Sequence, residues 1–417
     1  MQEAAWVAPP VPRGGLFGTV EVPPSKSLGQ RALLAACLAG PPSQVLRFPA
    51  AEDPQLLLAA LQEVGYRLRR EGEAVAVEGF SPKGAATLFL GNNGTGLRLL
   101  LAHLATLPGR FRLDGAERLR ERPVAPLVQA LRQLGAEVVG ERLPLEVMGR
   151  ELSGGWVRLD ASLSSQFLSA LLFAGPRLAQ GVAVEVVGEL PSRPYVAMSC
   201  QVLRAFGAQV VEEGKEFAVR GPLRPRTVTV EGDWSAAAFP MVGVAVAGGE
   251  VEVRGVQLPS PQGDAVLVTL LRQAGCEITP TADGVRVRGP ATGPVRADLH
   301  DCPDLFPPLS VLVALRGGEL AGLGNLAVKE SPRLAVMAQH CQRLGLPVQV
   351  GPDWFAAPGG GSAAAPAEPL SPAGDHRIAM ALAVAGLVAP GLAVQDPGCV
   401  AKSWPGFFAA WEKLLRP

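Results

Sequence analysis

The feature that most constrains the fold of this chain is a weak motif that recurs at nearly equal intervals. A helix-like end, a glycine and a β-type stretch occur together at Gly65, Gly135, Gly207, Gly275 and Gly345. The spacing is about 70 residues throughout, and a fixed period predicts a chain that is built from repeated supersecondary units.

A second series of residues has the same period. Polar residues begin apolar, helix-like segments at Ser27, Thr95, Ser165, Ser235, Asp304 and Asp375. One further period after Gly345 reaches Leu415, at the end of a sixth helix-like segment. Two independent series therefore predict six units. Each unit is predicted to contain a strand, an apolar helix, a strand, an amphipathic helix and a strand pair, a βαβαββ order of the α/β class.

The sixth unit has no sequence left for its closing strands. The segment GLFGTVEVPP, residues 15–24, resembles the strands that precede the other polar starts, so we expect it to complete the sixth unit. This arrangement predicts two domains of three units each. One domain would span 25–231, and the other would span 1–24 with 232–417. Two crossings of the chain would join the domains, which permits hinge closure over a cleft.

Composition argues against several functional classes. Lys+Arg and Asp+Glu are both 38, so the basic excess of a nucleic-acid or anionic-membrane surface is missing. The chain has no uninterrupted apolar run of membrane-spanning length and no apolar signal core at its start, which predicts a cytoplasmic protein. The six cysteines lie far apart and the four histidines lack ligand spacing, so no metal site is expected.

The first polar start combines cations with a helix N-terminus. In PPSKSLGQRALL, Ser27 and Gln30 match a capping box, and Lys26 and Arg31 lie beside them. The positive end of a helix dipole favours anions, so two cations at this place predict an anionic ligand. The alternative is that both side chains are simply solvated.

Other helix starts carry similar groups. The glycine-rich loop LGNNGTGLR leads to Thr95 as a predicted cap and lacks the Gly-Lys-Ser/Thr of a nucleotide P-loop, so ATP is not expected. Asp304 and the segment Asp375-His376-Arg377 lie at the fifth and sixth starts. Each group alone is compatible with a cap or a surface ion pair. Their recurrence at equivalent positions of the repeat favours a shared anion site.

Ten short motifs carry a resemblance to a known family, and they follow one another in family order along nearly the whole chain. They are PSKSLGQRALL, LGNNGTGLR, RERP, SSQFLSALL, SRPY, EGDWSAAAF, PD, VKESPRL, GDHRIAM and AKSWP. With them the chain resembles the EPSP synthase (3-phosphoshikimate 1-carboxyvinyltransferase) family. The resemblance implies a two-domain inside-out α/β barrel with three βαβαββ repeats per domain.

The resemblance also implies an activity. The carboxyvinyl group of phosphoenolpyruvate would be transferred to the 5-hydroxyl of shikimate 3-phosphate. The products would be 5-enolpyruvylshikimate 3-phosphate and phosphate, on the chorismate route to the aromatic amino acids. The reaction would need no metal and no organic cofactor. The expected partners are these two small molecules, and the expected state is a monomer.

Roles for individual residues follow from the same resemblance, with the 25–231 domain on the shikimate 3-phosphate side. The shikimate 3-phosphate ligands would be Lys26, Ser27, Arg31, Ser164, Ser165, Gln166, Ser192, Tyr195, Asp304, Asn325 and Lys329. The phosphoenolpyruvate ligands would be Lys26, Gly94, Arg122, Gln166, Arg333, Arg377 and Lys402. The catalytic groups would be Asp304, Glu330, Lys26 and His376. Asp304 would act near the 5-hydroxyl and Glu330 at C3 of phosphoenolpyruvate.

Two other functions stay open at this point. A UDP-N-acetylglucosamine carboxyvinyltransferase would share the fold and the chemistry, but its cysteine-bearing loop has no counterpart between Gly94 and Arg122, where no cysteine occurs. A non-catalytic anion-binding protein on the same fold is the other alternative. The presence of Asp304, Glu330 and every expected cation argues against it.

Gly94 has two explanations at the sequence level. It either leaves room for close approach of phosphoenolpyruvate, and of the inhibitor glyphosate that occupies this site in the family, or it supplies a positive φ angle.

Overall fold

The computed structural model describes residues 4–416. Its strands in chain order are β1 Trp6–Val7, β2 Leu16–Glu21, β3 Gln44–Leu46, β4 Tyr66–Glu71, β5 Ala74–Phe80, β6 Ala85–Phe89, β7 Gly109–Asp114, β8 Glu137–Val139, β9 Leu145–Gly149, β10 Gly155–Asp160, β11 Val182–Val187, β12 Gln209–Glu213, β13 Glu216–Arg220, β14 Thr227–Thr229, β15 Gly249–Arg254, β16 Glu277–Pro280, β17 Gly284–Gly289, β18 Val295–Asp298, β19 Gly318–Ala321, β20 Gln349–Val350, β21 Phe355–Ala357 and β22 Ala393–Val394. The α-helices are α1 Lys26–Ala39, α2 Glu52–Val64, α3 Gly94–Ala105, α4 Glu117–Glu121, α5 Ala125–Gln133, α6 Ser165–Ala174, α7 Arg193–Ala205, α8 Trp234–Ala247, α9 Leu267–Gln273, α10 Phe306–Arg316, α11 Arg333–Arg343, α12 His376–Gly386 and α13 Phe407–Lys413.

The chain divides into two compact units. One is Pro24–Glu231, and the other is Met1–Pro23 with Gly232–Pro417. Each unit has its own hydrophobic core of buried aliphatic and aromatic side chains. The domains expected from the sequence have their boundaries within one residue of these units. That expectation also covered residues 1–3 and 417, which lie outside the described residues.

Five four-stranded sheets share one topology. In the sheet β6-β7-β9-β8, β6 is parallel to β7, β7 is antiparallel to β9, and β9 is antiparallel to β8. The same order holds for β10-β11-β13-β12, β14-β3-β5-β4, β2-β15-β17-β16 and β18-β19-β21-β20. In residues 4–416, the sixth unit has only the pair β1-β22, to which Leu370 adds a bridge at Val394. The repeated sheets match the predicted βαβαββ organisation.

The expectation that residues 15–24 complete the sixth unit is wrong. β2 pairs with β15 in the sheet of the fourth unit, from Leu16 opposite Gly249 to Glu21 opposite Arg254. The sixth unit instead receives β1, with Trp6 opposite Val394. Other units begin with strands of a similar alternating pattern, such as β6 and β10, so the pattern indicates which face is buried and not which strand is the partner.

The first helix of each repeat is buried nearly all round, as its apolar sequence predicts. Every residue of α8 except Ala247 is buried. Because the sides of such helices face the core, the polar groups that can reach a ligand are confined to the helix ends, where the first backbone N–H groups have no intrahelical partner.

Two predicted helix caps are displaced by two residues. α1 begins at Lys26 and is capped by Ser25, whose Oγ accepts a hydrogen bond from the Leu28 N–H at 3.4 Å. α3 is capped by Asn93, whose Oδ1 accepts from the Gly96 N–H at 2.8 Å. Ser27 and Thr95 therefore lie inside the first helical turn, so neither hydroxyl is used as the cap.

A buried histidine in the Pro24–Glu231 unit predicts that acid lowers stability. Nε2 of His103 lies 3.1 Å from the Tyr66 hydroxyl, and burial, helped by the charge of Arg177, lowers the pKa of His103 to about 3. In the unfolded chain the pKa of histidine is about 6.5. Between these values the unfolded state binds the extra proton, so the free energy of unfolding falls as pH falls. The expected loss between neutral pH and pH 5 is on the order of 2 kcal/mol.

Urea unfolding of the parent and of His103→Gln at pH 7 and pH 5 measures this loss. The substitution removes the titrating ring, so its unfolding midpoint is expected to depend less on pH than that of the parent. His300→Gln, at a partly exposed site in the other unit, is the matched control and is expected to keep the parental dependence. Equal pH dependence of parent and His103→Gln would contradict the prediction.

Candidate active site

The starts of α1 and α3 are joined by a buried polar cluster in the Pro24–Glu231 unit. Lys26 Nζ lies 2.9 Å from Asp53 Oδ2, and both side chains are buried. Asn93 Nδ2 donates to Gln30 Oε1 at 2.8 Å and to the Asp53 carbonyl at 2.7 Å. Asn93, the cap of α3, therefore also holds Asp53, and Asp53 forms an ion pair with Lys26, the first residue of α1.

Arg31 belongs to α1, its side chain contacts α7, and it is only 1% exposed. Its Nε donates to Ser199 Oγ at 2.8 Å, its Nη1 donates to the Ser27 carbonyl at 3.0 Å, and its guanidinium carbon is 5.9 Å from the centre of the Tyr195 ring. Burial lowers the pKa of Arg31 to about 10, so the group is still cationic at neutral pH. Its hydrogen bonds are to a hydroxyl and a carbonyl, and a buried cation held only by neutral groups favours an anionic ligand.

Two further guanidinium groups approach Gly94. Arg98 donates to the Gly94 carbonyl at 2.9 Å and to the Pro123 carbonyl at 2.6 Å, and Arg122 donates to the Asn92 carbonyl at 3.5 Å. A Cβ atom on Gly94 would lie 2.6 Å from guanidinium nitrogens of both arginines. The φ angle of Gly94 is not in the left-handed region, so the explanation by positive φ is wrong. The glycine leaves room for the two guanidinium groups.

The starts of α6 and α7 add neutral donors and acceptors. Ser164 caps α6 by accepting from the Gln166 N–H at 3.2 Å, and Gln166 Nε2 donates to Thr95 Oγ1 at 3.1 Å. The buried Oε1 of Gln166 has no hydrogen-bond partner among residues 4–416. Ser165 is buried in the first turn, and Ser192 precedes α7 with a φ of 57°, a strained angle that is common at functional sites.

In the other unit, Arg333 lies at the centre of a buried ion-pair network. Its Nη1 lies 2.6 Å from Asp304 Oδ1, its Nη2 lies 2.8 Å from Glu330 Oε2, and its Nε lies 2.8 Å from Asp375 Oδ2. Arg377 Nη2 lies 2.8 Å from Asp304 Oδ2. The network therefore contains two guanidinium groups and three carboxylates, and it includes four residues that the resemblance assigns to the site.

Local structure places these groups at helix starts. Arg333 is the first residue of α11, and Asp375 caps α12 by accepting from the Arg377 N–H at 3.0 Å. Asp304 lies in the 3-10 turn Pro303–Leu305 that precedes α10. The Asp304 carboxylate makes ion pairs instead of capping the helix.

The charges of the network reinforce one another. Burial by itself would raise the pKa of Asp304, but Arg377, Arg333 and Lys329 outweigh burial and hold that pKa well below its ordinary range. Burial would likewise lower the pKa of Arg333, but the carboxylates of Asp375, Glu330 and Asp304 raise it well above its ordinary value. The ion pairs are therefore present at neutral pH.

The remaining predicted residues lie in the same unit. His376 is fully buried, with Nδ1 3.7 Å from Asp375 Oδ1, and Lys402 is buried at the end of the 3-10 turn Pro397–Lys402. The side-chain nitrogen and oxygen of Asn325 are buried and have no hydrogen-bond partner among residues 4–416, so no hydrogen bond joins Asn325 to the Arg333 network.

Sequence reasoning missed the anionic partners of the predicted cations. Asp53 lies in the first turn of α2, where a carboxylate has an ordinary explanation as a helix-dipole charge. The sequence pattern places Asp375 at a helix start and does not indicate that it pairs with Arg333. No local signal in the sequence pairs Asp53 with Lys26, because 27 residues separate them.

Several other features bear on the kinds of site that this chain can hold. In the described part of the chain, no group of three His, Cys, Asp or Glu side chains is arranged to hold a metal ion. The cysteines form no disulfide, and all except the partly exposed Cys399 are buried. No helix between residues 4 and 416 is long and apolar enough to cross a membrane.

Comparisons with known proteins cover nearly the whole chain. Residues 11–411 match the family model of EPSP synthase (3-phosphoshikimate 1-carboxyvinyltransferase). The 3-phosphoshikimate 1-carboxyvinyltransferases of Syntrophobacter fumaroxidans and Thiobacillus denitrificans are 39% and 36% identical to it, and each match covers 97% of this chain and 98% of the relative.

Solved structures agree with the sequence comparisons. An EPSP synthase from Acinetobacter baumannii matches with a TM-score of 0.79 at 26% identity, over 99% of this chain and 98% of that chain. This match confirms the predicted fold class, the two-domain inside-out α/β barrel built from repeats. The chain therefore belongs to the EPSP synthase (3-phosphoshikimate 1-carboxyvinyltransferase) family.

Proposed function

We propose that the chain transfers the carboxyvinyl group of phosphoenolpyruvate to the 5-hydroxyl of shikimate 3-phosphate, with release of phosphate. The observation that carries the proposal is the Arg333 network. It holds two carboxylates that suit proton transfer, Asp304 and Glu330, against two guanidinium groups that suit anionic substrates, Arg333 and Arg377. The family to which the chain belongs supplies the identity of the substrates.

Shikimate 3-phosphate is proposed to bind mainly to the Pro24–Glu231 unit. Arg31 supplies a buried positive charge, and its neighbour Tyr195 supplies a ring face for the carbocycle. The hydroxyl and amide groups at the starts of α6 and α7 suit phosphate and hydroxyl oxygens. The residues of the full proposed set are Lys26, Ser27, Arg31, Ser164, Ser165, Gln166, Ser192, Tyr195, Asp304, Asn325 and Lys329.

Phosphoenolpyruvate is proposed to bind through cations and the close approach at Gly94. Arg122 lies against Gly94 in one unit, and Arg333 and Arg377 lie in the network of the other. The proposed set is Lys26, Gly94, Arg122, Gln166, Arg333, Arg377 and Lys402. Holding two polyanions together offsets their repulsion and removes translational entropy from the barrier, a contribution that can reach on the order of 10 kcal/mol.

Substrate binding would also activate the base. Asp304 is a weak base while two guanidinium groups hold its pKa well below the ordinary range. An anionic substrate that binds Arg333 and Arg377 competes with Asp304 for the same positive charges. The pKa of Asp304 then rises towards its ordinary value, so the carboxylate becomes a better proton acceptor only when substrate is present.

In the proposed addition step, Asp304 accepts the proton of the 5-hydroxyl as its oxygen bonds to C2 of phosphoenolpyruvate. Glu330, which takes up a proton once substrate has displaced it from Arg333, donates that proton to C3. In the elimination step, Glu330 takes a proton back from C3 as the C–O bond to phosphate breaks, and Asp304 returns its proton to the leaving phosphate. Lys26 stabilises the charge of the phosphoenolpyruvate end, and His376, beside Asp375, is proposed to assist.

The test is an assay of the purified protein with both substrates in a buffer that contains a metal chelator. We expect phosphate release that equals the formation of 5-enolpyruvylshikimate 3-phosphate, measured by mass spectrometry. UDP-N-acetylglucosamine in place of shikimate 3-phosphate is expected to give no phosphate. Tight binding of both substrates by calorimetry without any product would refute the proposal and favour a non-catalytic anion-binding protein.

The family also suggests how the protein exists in the cell. We propose a monomer that acts in the cytoplasm. Light scattering coupled to size-exclusion chromatography tests the first part, because a monomer of this chain has a mass of 43.4 kDa. A mass of twice that value would contradict it.

Gly94→Ala is expected to weaken phosphoenolpyruvate binding without unfolding the protein. The new Cβ would displace the Arg122 and Arg98 guanidinium groups, which are the mobile ends of long side chains. Loss of one charge-assisted hydrogen bond to substrate would raise the KM for phosphoenolpyruvate by about tenfold or more. The inhibition constant for glyphosate, which in this family projects further towards the loop, is expected to rise by a larger factor.

Thermal melting and inhibition kinetics check this prediction. Gly293→Ala is the matched control, because Gly293 also has a φ outside the left-handed region and its nearest neighbour would be 3.8 Å from a new Cβ. The control is expected to match the parent in melting temperature and in both constants. If Gly94→Ala leaves the KM for phosphoenolpyruvate unchanged, the close approach of the guanidinium groups has no role in binding.

A further inference from the structure

Asp264 is a buried carboxyl that the proposed mechanism does not use. It lies in the 3-10 turn Gly263–Val266, in the same unit as the Arg333 network, and is 3% exposed. Its Oδ2 is hydrogen-bonded to the hydroxyl of Ser235, in the first turn of α8. Its Oδ1 is also buried and has no hydrogen-bond partner among residues 4–416. A buried carboxylate oxygen without a partner is costly, so this geometry favours the neutral acid.

The two carboxylates that face Asp264 also favour its neutral form. Asp304, from the turn before α10, and Asp233, the cap of α8, are negative, whereas Arg377 of α12 is positive. The thiol of Cys302 lies in the field of the Asp264 carboxyl. Burial first, and then the charge of Asp304, raise the pKa of Asp264 to about 7, although Arg377 and the Ser235 hydrogen bond oppose them. At pH 6 the carboxyl therefore carries a proton.

We infer that Asp264 is a positioning residue: in its neutral form it holds Ser235 at the start of α8 and adds no negative charge to the field in which Asp304 and Arg377 pair. In the acid form, the Asp264 O–H donates to Ser235 Oγ. In the ionised form the Ser235 hydroxyl must donate instead, and a second carboxylate competes for Arg377. Ionisation therefore weakens the binding of an anionic substrate at Arg377. The inference rests on the proposed function, in which Arg377 binds phosphoenolpyruvate.

The first test is the pH profile of kcat/KM for phosphoenolpyruvate. In the parent, kcat/KM is expected to fall by up to tenfold per pH unit above an apparent pKa near 7. Asp264→Asn, whose amide can still donate to Ser235, is expected not to show this decrease of kcat/KM. Asp264→Ala is expected to lower kcat/KM even at pH 6. Asp264→Asn is expected to retain most of the kcat/KM that the Ala variant loses at that pH.

The matched control is Asp283→Asn, an exposed carboxyl in the same unit, which is expected to keep the parental fall. An alkaline fall that persists unchanged in Asp264→Asn would overturn the inference. So would equal activities of the Ala and Asn variants at pH 6, because a role in positioning requires the hydrogen bond to Ser235.

A second measurement does not depend on turnover. The infrared band of a protonated carboxylic acid is expected at pH 6 in the parent and not in Asp264→Asn. Ionisation of Asp264 should also reduce stability as pH rises from 4 to 7, because the unfolded carboxyl has already released the proton that the folded one retains. This contribution is opposite in sign to that of His103, and the comparison of the parent with Asp264→Asn separates the two. Asp264→Asn is therefore expected to melt at a higher temperature than the parent at pH 8, with the difference vanishing at pH 4.

The outcomes separate this inference from the proposed function. A parent protein that releases no phosphate refutes the proposed function. Calorimetric titration of phosphoenolpyruvate at pH 6 and pH 8 then still tests Asp264. Weaker binding at pH 8 in the parent, but not in Asp264→Asn, supports the inference, and equal pH dependence in both overturns it.

Discussion

Asp304→Asn is expected to slow turnover by about 10²–10⁴-fold, because a positioned general base contributes a factor of that size. The amide oxygen can still accept from one of the two guanidinium groups, but the amide NH2 replaces the oxygen that faces the other, so one contact is lost together with the proton-accepting carboxylate. Binding of shikimate 3-phosphate is expected to weaken much less than turnover. Steady-state kinetics and calorimetry on the same preparations measure the two effects separately.

Asp301→Asn is the matched control for this prediction. Asp301 is three residues away, its side chain is 56% exposed, and it lies 3.7 Å from His300 at the surface. Its substitution is expected to leave turnover unchanged. If Asp304→Asn turns over within a few-fold of the parent, Asp304 is not the base, and Glu330 becomes the stronger candidate for both proton transfers.

Arg333→Ala is expected to lower the free energy of unfolding by about 3–5 kcal/mol at pH 7, the usual cost of removing one partner from a buried ion pair. The substitution leaves Asp304, Glu330 and Asp375 buried near one another, with less positive charge to offset theirs than Arg377, Arg333 and Lys329 supply together. Urea unfolding of the parent and the variant gives the difference directly. Phosphoenolpyruvate binding is expected to be lost as well, since Arg333 is one of its proposed ligands.

The free energy of unfolding is expected to depend on pH differently in the parent and in Arg333→Ala. In the parent, the depressed pKa of Asp304 adds stability above the ordinary pKa of about 3.9, and this stability is lost as pH falls towards the folded value. In Arg333→Ala, the carboxylates repel one another, so their pKa values are expected to rise. The variant should therefore recover part of its lost stability when the pH is lowered from 7 to 5.

Arg343→Ala is the matched control on the same helix, α11. Its side chain is 34% exposed and lies 3.6 Å from Glu368, whose side chain is 87% exposed. Exposed ion pairs contribute about 0–1 kcal/mol, so this variant is expected to remain close to the parent. Equal losses in the two variants would show that the buried network does not stabilise the fold.

Much of the organisation could be predicted from the sequence. The glycines that end helices, the apolar first helices and the alternating strands are local patterns, and the repeated sheets and buried helices of the structure match them. The prediction failed where a local pattern has several equivalent partners. β2 pairs with β15 and not in the sixth unit, and Ser25, two residues before the expected Ser27, caps α1.

The period of the repeat, the α/β class and the helix starts that carry the candidate side chains are all visible in the amino-acid sequence. Hydrophobic periodicity, glycines and caps act over a few residues, so a single chain displays them directly. Which charges neutralise one another became visible from the three-dimensional packing alone. Lys26 pairs with Asp53 across 27 residues and Arg333 with Asp375 across 42, and Asp264 is placed beside Ser235 across 29. Ion pairs and pKa values depend on distance and burial in three dimensions, and neither quantity is encoded in local spacing.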